Sequence, residues 1–228
     1  MPVDVDAWRR LITHDSNAGL RALDRLARTD RTAFVALCHE LLRDPSIAAR
    51  KAGLRMLSLF GIEGDAEAEA TAQDSLAEPE LREWAALALG RVGSPASFQV
   101  LADYARGGSP SALRVMAKMA KTPEQQHLVL EIARQFVLDE RFPVRNSAVR
   151  IVLPTLSNQE KENLLIEIVR RYFDEEALGS LRNATERVVP MLRGLLEKTV
   201  PGTAEQKDIL QTIHEIESRA SPFEANNS

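Results

Sequence analysis

The side chains best suited to hold a metal ion or to act as a nucleophile are His14, His39, His127, His214 and Cys38. Two runs set such groups side by side, Cys38-His39-Glu40 and His214-Glu215. Neighbours on a helix diverge by about 100°, so neither run lets its members share one ion easily. Satisfied core or surface histidines are the expectation. The chain also lacks a glycine-rich phosphate loop, an H-E-x-x-H pair and a nucleophile elbow. The sequence therefore predicts no metal, no cofactor and no enzymatic activity.

The residues with a pattern are arginines. Arg21, Arg50, Arg82, Arg114, Arg145 and Arg182 each follow a small or aliphatic residue and open an apolar run, at intervals of 29, 32, 32, 31 and 37 residues. Self-similarity at that period marks stacked repeats, each unable to bury its own apolar face alone. The six arginines are expected to be structural, bonding a preceding acid and nearby carbonyls. A second tier follows four or five residues later: Arg25, Arg55, Lys118, Arg150 and Arg187, with Lys51, Lys121 and Arg193 adding to it. That offset places both tiers on roughly one side of each helix. Repeat three interrupts the tier with Glu83, Trp84 and Ala86, and Trp84 reads as a core aromatic. The residues expected to meet a partner are Arg25, Arg55, Arg82, Glu83, Arg114, Lys118, Lys121, Arg150 and Arg187.

The elements that position these groups are helices in pairs. First helices are predicted near 3–13, 30–43, 64–77, 94–106, 122–139 and 157–174. Second helices, bearing the arginines, are predicted near 16–28, 46–61, 79–92, 109–121, 141–154 and 177–198. A closing helix lies near 203–219, and 221–228 reads as a flexible tail. Proline marks several starts (Pro45, Pro79, Pro110, Pro143), where its missing N–H costs nothing. Pro154 should end its helix, and Pro190 should kink or split the last second helix. Residues 1–220 are expected to form one domain.

Composition agrees with that picture. Charged residues make up 27% and aromatics only 5%, which suits helices packed through Leu and Ala. The single cysteine, Cys38, precludes an intrachain disulfide and suits a reducing compartment. The N-terminus does not read as a signal peptide and no apolar run could span a bilayer, so the expectation is a cytoplasmic protein that engages no membrane. Net charge is −4, yet its distribution is uneven. The predicted second helices hold 18 Lys/Arg against 5 Asp/Glu, and the remainder 11 against 28.

The segments EPELREWAALALGRVGSPASFQVLADYARGG and DPSIAARKAGLRMLSLFG resemble the HEAT-repeat family, in its short bacterial form shared with phycobilin lyases. That resemblance covers about residues 6–198. It implies an all-α, right-handed solenoid of about six helix pairs with a C-terminal capping helix, and second helices lining a concave face. It also implies an acid six positions before each arginine, which links neighbouring repeats. Asp15, Asp44, Asp139 and Glu176 fit, whereas Leu76 and Gly108 depart from the pattern. A non-enzymatic scaffold that takes an acidic protein or peptide in a basic groove follows from the resemblance and the charge pattern together. Sequence-independent nucleic-acid binding on the same groove is the alternative. HEAT-like alkylpurine DNA glycosylases are similar in build, but Ala88 stands a turn after Trp84, where a carboxylate would be needed. His39-Glu40 and His214-Glu215 are similar to the His-Glu pairs of HEAT-built deoxyhypusine hydroxylases, but they number two and stand at non-equivalent places.

Overall fold

Apolar residues at helical spacing, interrupted every ten to fifteen residues by Pro, Gly or a capping side chain, give a chain of short helices. The computed structural model describes residues 16–62 and 65–220, and these are helical throughout apart from turns, with no strand among them. The expected helix at 3–13, His14, Asp15, Glu63 and the tail lie outside the described residues.

The helices are α1 (Ser16–Thr29), α2 (Arg31–Arg43), α3 (Ile47–Phe60), α4 (Ala66–Ser75), α5 (Arg82–Val92), α6 (Pro95–Arg106), α7 (Pro110–Met119), α8 (Pro123–Arg134) and α9 (Phe142–Val152). They continue as α10 (Asn158–Tyr172), α11 (Glu175–Leu181), α12 (Val189–Leu196) and α13 (Ala204–Ala220). The described helices fall into two compact units, divided between Val152 and Leu153.

The first unit is an α-solenoid of helix pairs: α2 packs on α3, α4 on α5, α6 on α7 and α8 on α9. The second helices, α3, α5, α7 and α9, also stack on one another. They do so more closely than α2, α4, α6 and α8 stack among themselves. Leu37, Leu41, Leu54, Leu57, Leu89, Leu101 and Leu113 fill the space between the layers and are almost wholly buried. Each contributes about 2 kcal/mol by leaving water. At one end Phe34 and Phe60 meet edge to face, with ring centres 5.5 Å apart.

Starts and stops follow the local chemistry. Pro95, Pro110 and Pro123 open their helices. Asp30, Asp65, Ser109 and Thr122 cap theirs through side-chain oxygens. Pro45 and Pro79 differ from expectation. Ser46 takes the cap position of α3, and residues 76–81 form turns before α5 begins at Arg82. The second unit contains α10 to α13, and its predicted second helix over 177–198 is broken. A turn at 182–185 and a 3-10 turn, Glu186–Val188, separate α11 from α12, which restarts with Pro190 in its first turn. Pro190 has no N–H for the carbonyl four residues back and its ring crowds that carbonyl, so the break falls just upstream. Glu162 anchors it, accepting from the Thr185 N–H at 2.7 Å and from its hydroxyl at 2.9 Å.

Two of the recurrent arginines bond main-chain carbonyls six positions back. Arg82 Nε donates to the Leu76 carbonyl at 3.0 Å, and Arg145 Nη1 to the Asp139 carbonyl at 2.8 Å and the Glu140 carbonyl at 3.2 Å. Leu76 therefore serves in its position as well as an acid does, through its backbone. Arg50 instead reaches forward one repeat and forks onto both oxygens of Glu78, with Nη2 to Oε2 at 2.7 Å. Arg114 is exposed and, among the described residues, donates only to the Ser111 hydroxyl, at 3.1 Å.

Carboxylates tie successive repeats together. Glu69 of α4 accepts from the Ser94 N–H at 2.8 Å and its hydroxyl at 2.7 Å, and from Ser97, at the start of α6. Asp65 accepts from the Ala68 N–H at 3.0 Å and lies 2.7 Å from His39 Nε2 of α2. Burial alone would raise both carboxyls. For Asp65 the Ala68 N–H and His39, and for Glu69 Ser97 and Ser94, outweigh it and hold each below its ordinary value. Asp139 is lowered by Arg141, which forks onto it. A carboxyl lowered on folding stabilises fully above its unfolded value and ceases to do so as pH falls through the folded value. The melting temperature should thus be level from about pH 7 to 5 and fall below about pH 4. Glu69→Gln, which keeps the size and loses the charge, should lower the plateau and shallow the acid limb. An acid limb identical to that of the wild type would exclude this role.

Candidate functional site: the exposed face of the second helices

Each second helix of the first unit leaves one stripe of its surface uncovered. On α3 the stripe carries exposed Lys51 and half-buried Arg55, one turn apart. On α5 it carries half-buried Trp84 and Leu87 and exposed Arg91. On α7 it carries exposed Arg114 and Lys118, with Lys121 just beyond the helix end. On α9 it carries Asn146 and exposed Arg150, whose Nε donates to Asn146 Oδ1 at 2.8 Å.

Trp84 is therefore a surface residue of this stripe, a correction to its reading as core. The core side of α5 is taken by Ala85, Ala86, Ala88 and Leu89, each with essentially no exposure. The small alanines let α5 approach its neighbours so closely that an indole has no room among them. The Arg55 guanidinium lies over the Trp84 ring, 5.6 Å from its centre, bridging α3 and α5.

Two of the expected partner-binding residues are engaged in holding the array together. Arg82, besides its carbonyl bond, lies over Tyr104 of α6 at 5.5 Å. Glu83 accepts from the Ser109 hydroxyl at 2.9 Å and the Ser111 N–H at 3.2 Å, capping α7 from α5. Among the rest, Arg25 stands exposed on α1, and Arg187 is exposed in the 3-10 turn of the second unit. Arg91 was missed. Its signal was its place seven residues after Trp84, two helical turns along the same side.

The remaining charges divide by layer. Cations on or beside the first helices are largely neutralised locally: Arg43 by Glu67, Arg106 by Asp103 at 2.7 Å, Arg141 by Asp139 at 2.9 Å. Lys51, Arg91, Lys118 and Lys121, on the second layer, have no ionic partner among the described residues.

No group of three His, Cys, Asp or Glu able to hold a metal occurs among the described residues. Cys38 is fully buried, and its thiol is pushed up to about 12 by burial and the Asp65 charge against the opposing pull of Arg31. It is not poised as a nucleophile. No described helix is long and apolar enough to cross a membrane.

Residues 34–120 match the family model of HEAT repeats. They run from the first turn of α2 to the end of α7, three helix pairs, and over that stretch the chain is similar to HEAT repeats. No curated protein and no solved structure gives a significant match.

Proposed function

We propose that the first unit is a non-enzymatic interaction module whose second-helix face binds an acidic segment of a partner protein, in the cytoplasm. The observation that carries this reading is the stripe itself. An aromatic anchor, Trp84, lies under Arg55 and is flanked by Lys51 on one side and Arg114 and Lys118 on the other. Trp and Arg at the centre of a face are the residue types that dominate binding energy, and cations without local partners keep their field for an incoming anion. Arg25 and Arg150 extend the set of exposed cations beyond that centre within the first unit, and Arg187 is exposed in the second unit.

The test uses a labelled oligo-glutamate peptide followed by fluorescence anisotropy. Reversing Lys51, Arg55 and Arg114 to Glu should weaken binding by about tenfold or more, chiefly through slower association. The matched control reverses exposed first-helix acids, Glu40, Asp74 and Glu131, to Lys. A control that weakens binding more than the face variant would refute the reading. So would a far steeper loss with salt for a random DNA duplex that outcompetes the peptide, because that is the signature of phosphate neutralisation.

A further inference from the structure

The stripe ends in a cleft. Where α5 and α7 finish, Arg91, Lys118 and Lys121 line a recess of about 840 Å³ beside the starts of α6 and α8. All three cations are exposed, and none has an ionic partner among the described residues. Three like charges converging on one recess repel one another, and an anion entering it relieves that repulsion.

The recess is rigidly framed. A Cβ on Gly90 would come within 2.9 Å of Val115 Cγ1, so the glycine lets α5 and α7 close on each other there. Opposite, the Gln125 side chain accepts from the Lys121 N–H at 2.9 Å and closes a capping box with Thr122, which fixes the backbone that carries Lys121. The one carboxylate in the wall, Glu69, is committed to Ser94 and Ser97.

We propose that this cleft is the subsite for a pair of adjacent carboxylates in an acidic peptide whose apolar residue rests on Trp84. This rests on the functional reading above and adds the position and chemistry of its anionic anchor. Trp84 and Arg91 are seven residues apart, about 10 Å along the helix axis. An extended peptide covers that distance in about three residues. The favoured ligand therefore has an apolar side chain followed, about three residues on, by two neighbouring Asp or Glu. Lysines and an arginine on separate elements suit two carboxylates better than one planar group, because the cations approach from different directions.

Two labelled peptides test the assignment, one with Leu followed three residues on by Glu-Glu and one with Gln-Gln in that place. The wild type should bind the Glu peptide about tenfold more tightly. Arg91→Glu, Lys118→Glu and Lys121→Glu together should abolish that preference while binding the Gln peptide as before, with an unchanged melting temperature. Trp84→Ala should weaken both peptides and leave their ratio intact. Should the preference survive in the cleft variant yet vanish in the Lys51/Arg55/Arg114 variant, the cleft assignment falls and the face reading stands. Equal affinity of the wild type for both peptides would sink both. A random DNA duplex that displaces the Glu peptide from the wild type and fails to bind the cleft variant would give the recess to phosphates and overturn the peptide assignment.

Discussion

Replacing Arg145 with Ala should destabilise the first unit by about 2–4 kcal/mol, the largest stability effect expected of any charged side chain in it. Arg145 is only 4% exposed. Its guanidinium satisfies the carbonyls of Asp139 and Glu140 in the turn that joins α8 to α9, and it lies over Phe142 at 5.6 Å. Truncation removes those donors and leaves carbonyls facing a void that water reaches poorly, so the full desolvation penalty is felt. Lysine should restore little, because an ammonium lacks the planar group that lies over Phe142 while its Nη1 donates to both carbonyls. The comparison is Arg114→Ala, which should change stability by no more than about 0.5 kcal/mol, since Arg114 is exposed and its bond is to the Ser111 hydroxyl. Denaturant midpoints of the two variants decide it: equal midpoints would show that the recurrent arginines do not differ in role as their contacts imply.

This contrast shows what the sequence conceals. The recurrence of arginine at a thirty-residue period is plain to read, and it led correctly to helix pairs. The partner of each arginine is not readable, because a carbonyl has no letter. Arg82 and Arg145 share a bond to the carbonyl six positions back, although Leu occupies that place in one case and Asp in the other. The inter-repeat caps were equally hidden. Glu69 to Ser94 and Glu83 to Ser109 and Ser111 span 25 to 28 residues, beyond any local pattern. Such caps explain why Glu83, which reads as a break in a basic stripe, belongs to the joint between α5 and α7. The same hidden joints bear on Gly107-Gly108. There Gly108 is buried at a φ of 78°, the N–H groups of Gly107, Gly108 and Ser109 all bond within the α6 terminus, and Ser109 is held by Glu83.

Charge was legible in sum and only partly in place. The excess of Lys and Arg on second helices could be read from the sequence, and the stacking of those helices as one layer follows from the repeat. Which cations stay free depends on neighbours contributed by other repeats. Arg50 is neutralised by Glu78, which stands 28 residues on, whereas Lys51 beside it has no such partner among the described residues. Trp84 was misplaced for a related reason. An aromatic within an Ala-Leu run reads as core, but a layer of helices packed through alanine has room only for small side chains at its contacts.

Trp84→Ala should therefore separate folding from binding. In the core, loss of a tryptophan costs about 3–5 kcal/mol. A half-buried indole that covers neighbours with one face and carries a guanidinium has less to lose, and about 1–2 kcal/mol is expected, including the contact with Arg55. In the complex we propose, the same indole would go from half-buried to fully covered among the exposed cations of the face, the setting in which truncation costs at least about 2 kcal/mol, or roughly thirtyfold in affinity. Trp84→Phe should recover much of the loss by keeping a flat apolar platform under Arg55, whereas Trp84→Leu should recover less because it loses the cation–aromatic contact. Anisotropy with the Leu-containing acidic peptide and a urea titration of each variant measure the two effects side by side. A variant that loses 3 kcal/mol or more of stability (about the core value) while binding the peptide as well as the wild type would return Trp84 to the core and leave the second-helix face without its anchor.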